Sequence, residues 1–158
     1  MGIYLNPENV DFQEVLNSKI YVDKSELIQY TNSVLRTTQK YICVSRPRRF
    51  GKSMAANMLT AYYSRGCDSR RLFQGLKIAT HPDFEKHLNQ YNVIHLNMQN
   101  FLSKTQTIEQ MIALVTKAVG RDLLRAYPDI DYLDKSILTF MLDDVYQNYQ
   151  VPFIFIID

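Results

Sequence analysis

Apolar positions along the chain fall into two kinds of run, and their alternation predicts the layout. Short, nearly unbroken runs occur at Tyr41-Ile42-Cys43-Val44, Val93-Ile94-His95-Leu96-Asn97 and Phe153-Ile154-Phe155-Ile156-Ile157. Runs of this kind suit strands covered on both faces, as in a parallel sheet. Between them, apolar residues recur at helical spacing. Met54, Ala55, Met58, Leu59 and Tyr62 predict a helix from Lys52 to about Ser64, stopped by the turn Arg65-Gly66-Cys67-Asp68. Ile108, Met111, Ile112, Val115, Val119 and Leu123 predict a long amphipathic helix over Thr107 to Ala126. Ile137, Met141, Val145 and Tyr149 predict another from about Leu133 to Tyr149. Near the start, Ile20-Tyr21-Val22 reads as a short strand or extended arm. Asp23 and Glu26 have the spacing of a capping box for a following helix that bears Leu27, Ile28 and Tyr30. Leu72, Phe73, Leu76 and Ile78 read as a packing segment, and Pro82 to Leu88 as a short helix with Pro in its first turn. Strands alternating with helices mean an α/β fold with a mainly parallel sheet.

Composition narrows this picture without changing it. A chain of 158 residues with 46% apolar residues fits one domain with a sizeable core. A net charge of +2 excludes a strongly basic or acidic tail but leaves room for a local basic patch. Cys43 and Cys67 form neither a disulfide framework nor a metal knuckle, so a reducing, cytoplasmic setting is expected. His81, His87 and His95 have no companion cysteine at zinc-ligand spacing. The opening Met1-Gly2-Ile3-Tyr4-Leu5-Asn6 lacks the pattern of a secretory signal, and Asn6 stands where a myristoylation signal wants Ser or Thr. Phe153 to Ile157 is too short to span a bilayer, so no membrane partner is expected.

The candidate chemistry sits between the first apolar run and the helix after it. Arg46-Pro47-Arg48-Arg49-Phe50-Gly51-Lys52-Ser53 matches the phosphate-loop pattern G-x-x-x-x-G-K-[ST] except at its first position, where Arg46 replaces Gly. Gly51 lets the backbone turn sharply and its amides approach a phosphate. Lys52 supplies a mobile ammonium to the β- and γ-phosphates, and Ser53 a hydroxyl to Mg²⁺. The loop opens a helix whose first N–H groups and dipole favour an anion. The last apolar run ends at Asp158, the pattern of a Walker B carboxylate beside the Mg²⁺ site. The candidate nucleotide contacts are therefore Arg46, Pro47, Arg48, Arg49, Phe50, Gly51, Lys52, Ser53 and Met54. Lys52 and Asp158 are the candidate catalytic groups, and Ser53 and Asp158 the candidate metal ligands. ATP and Mg²⁺ are the expected cofactors.

Three stretches carry a resemblance to a known family. Tyr21-Val22-Asp23-Lys24-Ser25, Val44 through Ser53, and Leu72-Phe73-Gln74-Gly75-Leu76 resemble the bacterial AAA-ATPase-like family. The likeness runs over nearly the whole chain and accounts for Arg46, because that family carries the same variant loop. It implies a three-layer α/β/α P-loop NTPase fold, incomplete at its C-terminal end. Residues 1–38 would be an N-terminal arm and helix, and residues 39–158 the nucleotide-binding core up to the Walker B strand. Members of the family continue with a Glu after the Walker B Asp and finish in a PD-(D/E)XK-type nuclease domain. Nucleic acid is thus an implied partner of the longer chain, and hydrolysis is expected only there. Related ATPases place the segment Tyr21 to Lys24 near the adenine; a core-packing strand and helix cap is the alternative. In such ATPases a later strand inserts between the phosphate-loop strand and the Walker B strand. Without it, a gap between Tyr41–Val44 and Phe153–Ile157, or self-association through unpaired edges, is expected ahead of clean closure. Two other functions stay open: nucleic-acid binding through Arg46, Arg48, Arg49 and Lys52, and small-molecule phosphotransfer.

Overall fold

Two strands, β1 (Asn92–Leu96) and β2 (Phe153–Ile157), pair in parallel, with Asn92 opposite Phe153 and Leu96 opposite Ile157. The computed structural model describes residues 2–45, 47 and 49–158. The pair separates two buried clusters, because successive side chains of a strand point to opposite faces. Val93, Ile154 and Ile156 face one cluster, while Ile94, Leu96 and Phe153 face the other. The first is covered by α1 (Val10–Leu16), α2 (Glu26–Val34), α3 (Lys52–Tyr63) and the short turns after it, α4 (Arg70–Phe73) and α5 (Phe84–His87). The second is covered by α6 (Met98–Leu102), α7 (Ile108–Ala126) and α8 (Leu138–Tyr149). Helices on both faces of a parallel pair make the architecture α/β.

Aromatic residues dominate the first cluster. The Tyr62 ring lies 4.9 Å from that of Tyr63 and 5.6 Å from that of Phe73. Such pairs add about 0.5–1.5 kcal/mol each beyond the area they bury. Both hydroxyls are satisfied. Tyr62 donates to the Phe84 carbonyl at 2.8 Å and accepts from Asn32, and Tyr63 donates to Asn32 Oδ1 at 2.7 Å. Burial pushes the Tyr62 hydroxyl up to about 12, so it remains a donor throughout the physiological range. These bonds lock α2 onto α3, which fixes the segment before α2 relative to the loop before α3.

Several sequence expectations are met. The helix after the loop covers Lys52–Tyr63, and the turn at Arg65 follows it. The long helix covers Ile108–Ala126, with Thr107 Oγ1 accepting from the Gln110 N–H as an N-cap. Leu72, Phe73, Leu76 and Ile78 all pack on the first cluster. Ile20-Tyr21-Val22 is an extended arm and not a strand.

Others are corrected. Tyr41–Val44 forms no strand and stays exposed, with Tyr41 at 85%. Its backbone has no partner edge among the described residues, and an apolar run without a ladder is only extended chain. The strand β2 is likewise not buried on both faces: Phe155 and Ile157 are 51% and 65% exposed. The last helix begins at Leu138, not Leu133, because Asp134 accepts from the Ser136 N–H at 2.8 Å and holds a turn. The short helix begins at Phe84, after Pro82. No capping box forms at α2. Asp23 accepts instead from the Ser25 and Lys77 N–H groups, both at 2.8 Å, and Glu26 pairs with Lys77 at 3.0 Å. On α3, the buried side chains are Ala56, Met58, Thr60, Ala61, Tyr62 and Tyr63, while Met54 is exposed. The stripe of α7 is buried at Val119 and Leu123 but exposed at Ile108 and Ile112. Among the described residues, no helix is long and apolar enough to cross a membrane.

Candidate functional site

The loop before α3 curls through two residues in the left-handed region, Arg49 at φ 67° and Gly51 at φ 77°. For Gly51 this conformation has no Cβ cost; for Arg49 it costs ~1–2 kcal/mol. A fold that holds a non-glycine residue there has fixed the loop's path tightly. Gly51 is the N-cap of α3, and the Ala55 N–H donates to its carbonyl at 3.0 Å. Among the described residues, no N-cap side chain bonds this end, and no acidic residue stands in the first turn. The first N–H groups of an α-helix have no intrahelical acceptor. A twelve-residue helix therefore presents its positive end, uncompensated by acid, at the position where the sequence pattern asks for a phosphate.

Lys52 folds back over the loop, its Nζ donating to the Pro47 carbonyl at 3.3 Å. It also lines a cavity of about 240 Å³ with Asp158, Ile42, Val44, Ala55 and Ile156. Lys52 and Asp158 are thus brought to one cavity, from the start of α3 and the end of β2. Asp158 is half-buried, and its backbone is held by N–H donation to Leu96 O at 2.9 Å and acceptance from Met98 N at 2.8 Å. Ser53 lies in the exposed first turn of α3 and does not line that cavity. Pro47, Arg49, Phe50 and Met54 are exposed around the loop, whereas Arg46 and Arg48 lie outside the described residues.

A second cavity, of about 280 Å³, opens on the other side of the loop. Tyr21, Val22, Phe50, Gly51, Met54 and Met58 are among its walls. The segment from Tyr21 to Lys24 therefore meets the loop as well as capping the core. Burial pushes the Tyr21 hydroxyl above its ordinary value, helped by the nearby Asp23 carboxylate.

Two residues at the site carry no motif signal. Lys24 donates to the Phe50 carbonyl at 2.8 Å, reaching the loop from the arm. His95, on β1, lies in the field of Asp158; burial lowers its pKa, and Asp158 and Asp11 pull the other way. Lys24 was legible only inside the Tyr21–Ser25 stretch that carries the family resemblance, and His95 looked like an ordinary strand residue. Among the described residues, no group of three or more His, Cys, Asp or Glu side chains could hold a metal by itself. The chain matches, over residues 10–158, the model of a family described as predicted AAA-ATPase. No curated protein and no solved structure matches it.

Proposed function

Since the chain belongs to the family of predicted AAA-ATPases, we propose that it is an ATP-binding, Mg²⁺-dependent module of P-loop NTPase fold. Residues 39–158 form its core, and residues 1–38 the arm and helix that brace it. The observation that carries this reading is the start of α3 behind a left-handed Gly51, with no acidic residue in its first turn and with Lys52 and Asp158 lining one cavity. In it the phosphates lie against the N–H groups of Gly51, Lys52, Ser53 and Met54, flanked by Arg46 to Phe50. The apolar cavity between Tyr21, Phe50 and Met58 takes the base.

A hydroxyl at Ser53 and a carboxylate at Asp158 are oxygen donors of the kind Mg²⁺ takes. Mg²⁺ is bound through one or two protein oxygens together with phosphate oxygens and water, and it needs no cage of protein ligands. Ser53 and Asp158 would hold the ion, Ser53 from outside the cavity that Asp158 lines, and the ion would supply neutralisation of phosphate charge. Lys52 adds a second positive charge on the same phosphates. Among the described residues lining its cavity Asp158 is the acidic one, and they include no second carboxylate to polarise water. Residues 1–158 therefore bind nucleotide more readily than they turn it over.

Calorimetric titration of the folded chain with Mg-ATP and thermal melting with the same ligand test this reading. At a ligand concentration ~100 times Kd, binding adds ~2.7 kcal/mol of stability. Lys52→Ala removes the shift. An unchanged shift in Lys52→Ala, or none in a folded wild-type chain at millimolar Mg-ATP, rejects the site. Binding of DNA with a steep salt dependence and no effect of nucleotide would favour a nucleic-acid module instead.

A further inference from the structure

Lys24 is tied to the loop more closely than the phosphate-loop pattern asks. Its ammonium meets the Phe50 carbonyl at 2.8 Å, and a Cβ placed on Gly51 would lie 2.8 Å from the same nitrogen. The lysine therefore occupies the space that a side chain at position 51 would need.

The arm that carries Lys24 is pinned on both sides of it. Asp23 accepts from the Ser25 and Lys77 N–H groups, both at 2.8 Å. Ser25 is fully buried, and its Oγ accepts from the Ile78 N–H at 3.2 Å. Burial pushes the Asp23 carboxyl up, but the Lys77 and Ser25 donors outweigh it and hold the group below its ordinary value. Lys24 thus rises from a fixed stretch of backbone onto one particular peptide of the loop.

That peptide matters because it is planar and trans, so its C=O and N–H point in opposite directions. Holding the Phe50 carbonyl toward the arm turns the Gly51 N–H away from it. We propose that Lys24 is a positioning residue of the phosphate loop. It fixes the Phe50–Gly51 peptide, and with it the direction of the first amide that a phosphate would meet. The proposal deepens the nucleotide reading and rests on it.

The test uses Lys24→Met, which keeps an apolar stem of similar length, and Lys24→Arg, which keeps a cationic donor. Kd for Mg-ATP and Mg-ADP is read by titration of the full chain, with Lys52→Ala alongside. Lys24→Met weakens both nucleotides by ~10-fold or more, the size of one charge-assisted hydrogen bond. Lys24→Arg restores most of that loss. Nucleotide-free melting of Lys24→Met stays within about 3 °C of wild type, because the side chain is not part of the core. Wild-type affinity in Lys24→Met, with binding lost in Lys52→Ala, overturns this inference and spares the nucleotide site. Full affinity in Lys52→Ala overturns both. Should Lys24→Met fail to fold, Lys24→Gln and Asp23→Asn take its place. The first removes the cation, the second slackens the arm, and wild-type affinity in folded Lys24→Gln overturns the proposal.

Discussion

Three apolar runs of similar length meet three different fates, and backbone partners explain the difference. β1 is bonded on both edges. β2 lies along one, and along the other Asn6 N donates to Val93 O at 2.7 Å and His95 N to Tyr4 O at 2.9 Å. Its Val93 and Ile94 are at most 1% exposed. β2 is bonded on the β1 side, and Phe155 and Ile157 remain open to solvent. Tyr41–Val44 pairs with neither strand and is exposed throughout. Ile42 and Val44 face Ile154 to Asp158 across the 240 Å³ cavity instead of bonding to them. Burial follows the number of bonded edges and not the apolar content of the run. The expected arrangement of a phosphate-loop strand set apart from the last strand is not tested, because Tyr41–Val44 forms no strand.

The comparison is broken most readily by matched substitutions in two of the runs. Ile94→Ala, at 1% exposure, removes packing on the second cluster and should cost ~2–5 kcal/mol. Ile42→Ala, at 40% exposure, should cost under about 1 kcal/mol. Urea unfolding measures both, and equal losses would show that Tyr41–Val44 is as structurally committed as β1.

A smaller effect sharpens why β1 is the anchored one. Asn92 is fully buried, and its Oδ1 accepts from Asn6 Nδ2 at 2.9 Å and from the Tyr127 hydroxyl at 2.7 Å. Asn92→Ala strands both donors and should cost ~1–3 kcal/mol. A loss below 0.5 kcal/mol on the same urea scale, an order-of-magnitude threshold for an exposed site, would mean that the N-terminal segment is not held through this side chain.

The smallest effect is a pH dependence. Burial lowers the pKa of His95 on β1 and of His87 beside Tyr91. A lowered folded pKa means that the unfolded chain binds protons first as pH falls. The contribution is full above the unfolded value of about 6.5 and is lost as pH drops through the lower folded values. Melting temperature should therefore decline on acidification from pH 7 toward 5, and His87→Gln with His95→Gln should flatten that slope. An unchanged slope in the double variant would assign the decline to other groups.

Local signals were legible wherever the chain decides its own conformation. Thr107 ahead of a regular apolar stripe gave α7, and Gly51-Lys52-Ser53 after an apolar run gave the start of α3. What escaped depends on distant partners. The strand assignment for Tyr41–Val44 presumed neighbours on both edges, which periodicity does not supply. Asp122, which no sequence pattern singles out, is buried on α7 and accepts from the Tyr4 N–H at 2.7 Å, 118 positions away. Asp23 looked like half of a capping box, but its second acceptor oxygen is taken by Lys77. At the candidate site, the residue types were readable in sequence, while the approach of Lys24 and the shared cavity of Lys52 and Asp158 required the fold.

Amide hydrogen exchange with and without Mg-ATP tests the central claim most directly, because it reads the N–H groups that the claim assigns to phosphate. The account predicts that Lys52, Ser53 and Met54, at the start of α3, gain ~10-fold or greater protection when nucleotide is bound. Val93 to Leu96 should be slow to exchange in both states. Protection that appears elsewhere while the start of α3 continues to exchange at its ligand-free rate would contradict it.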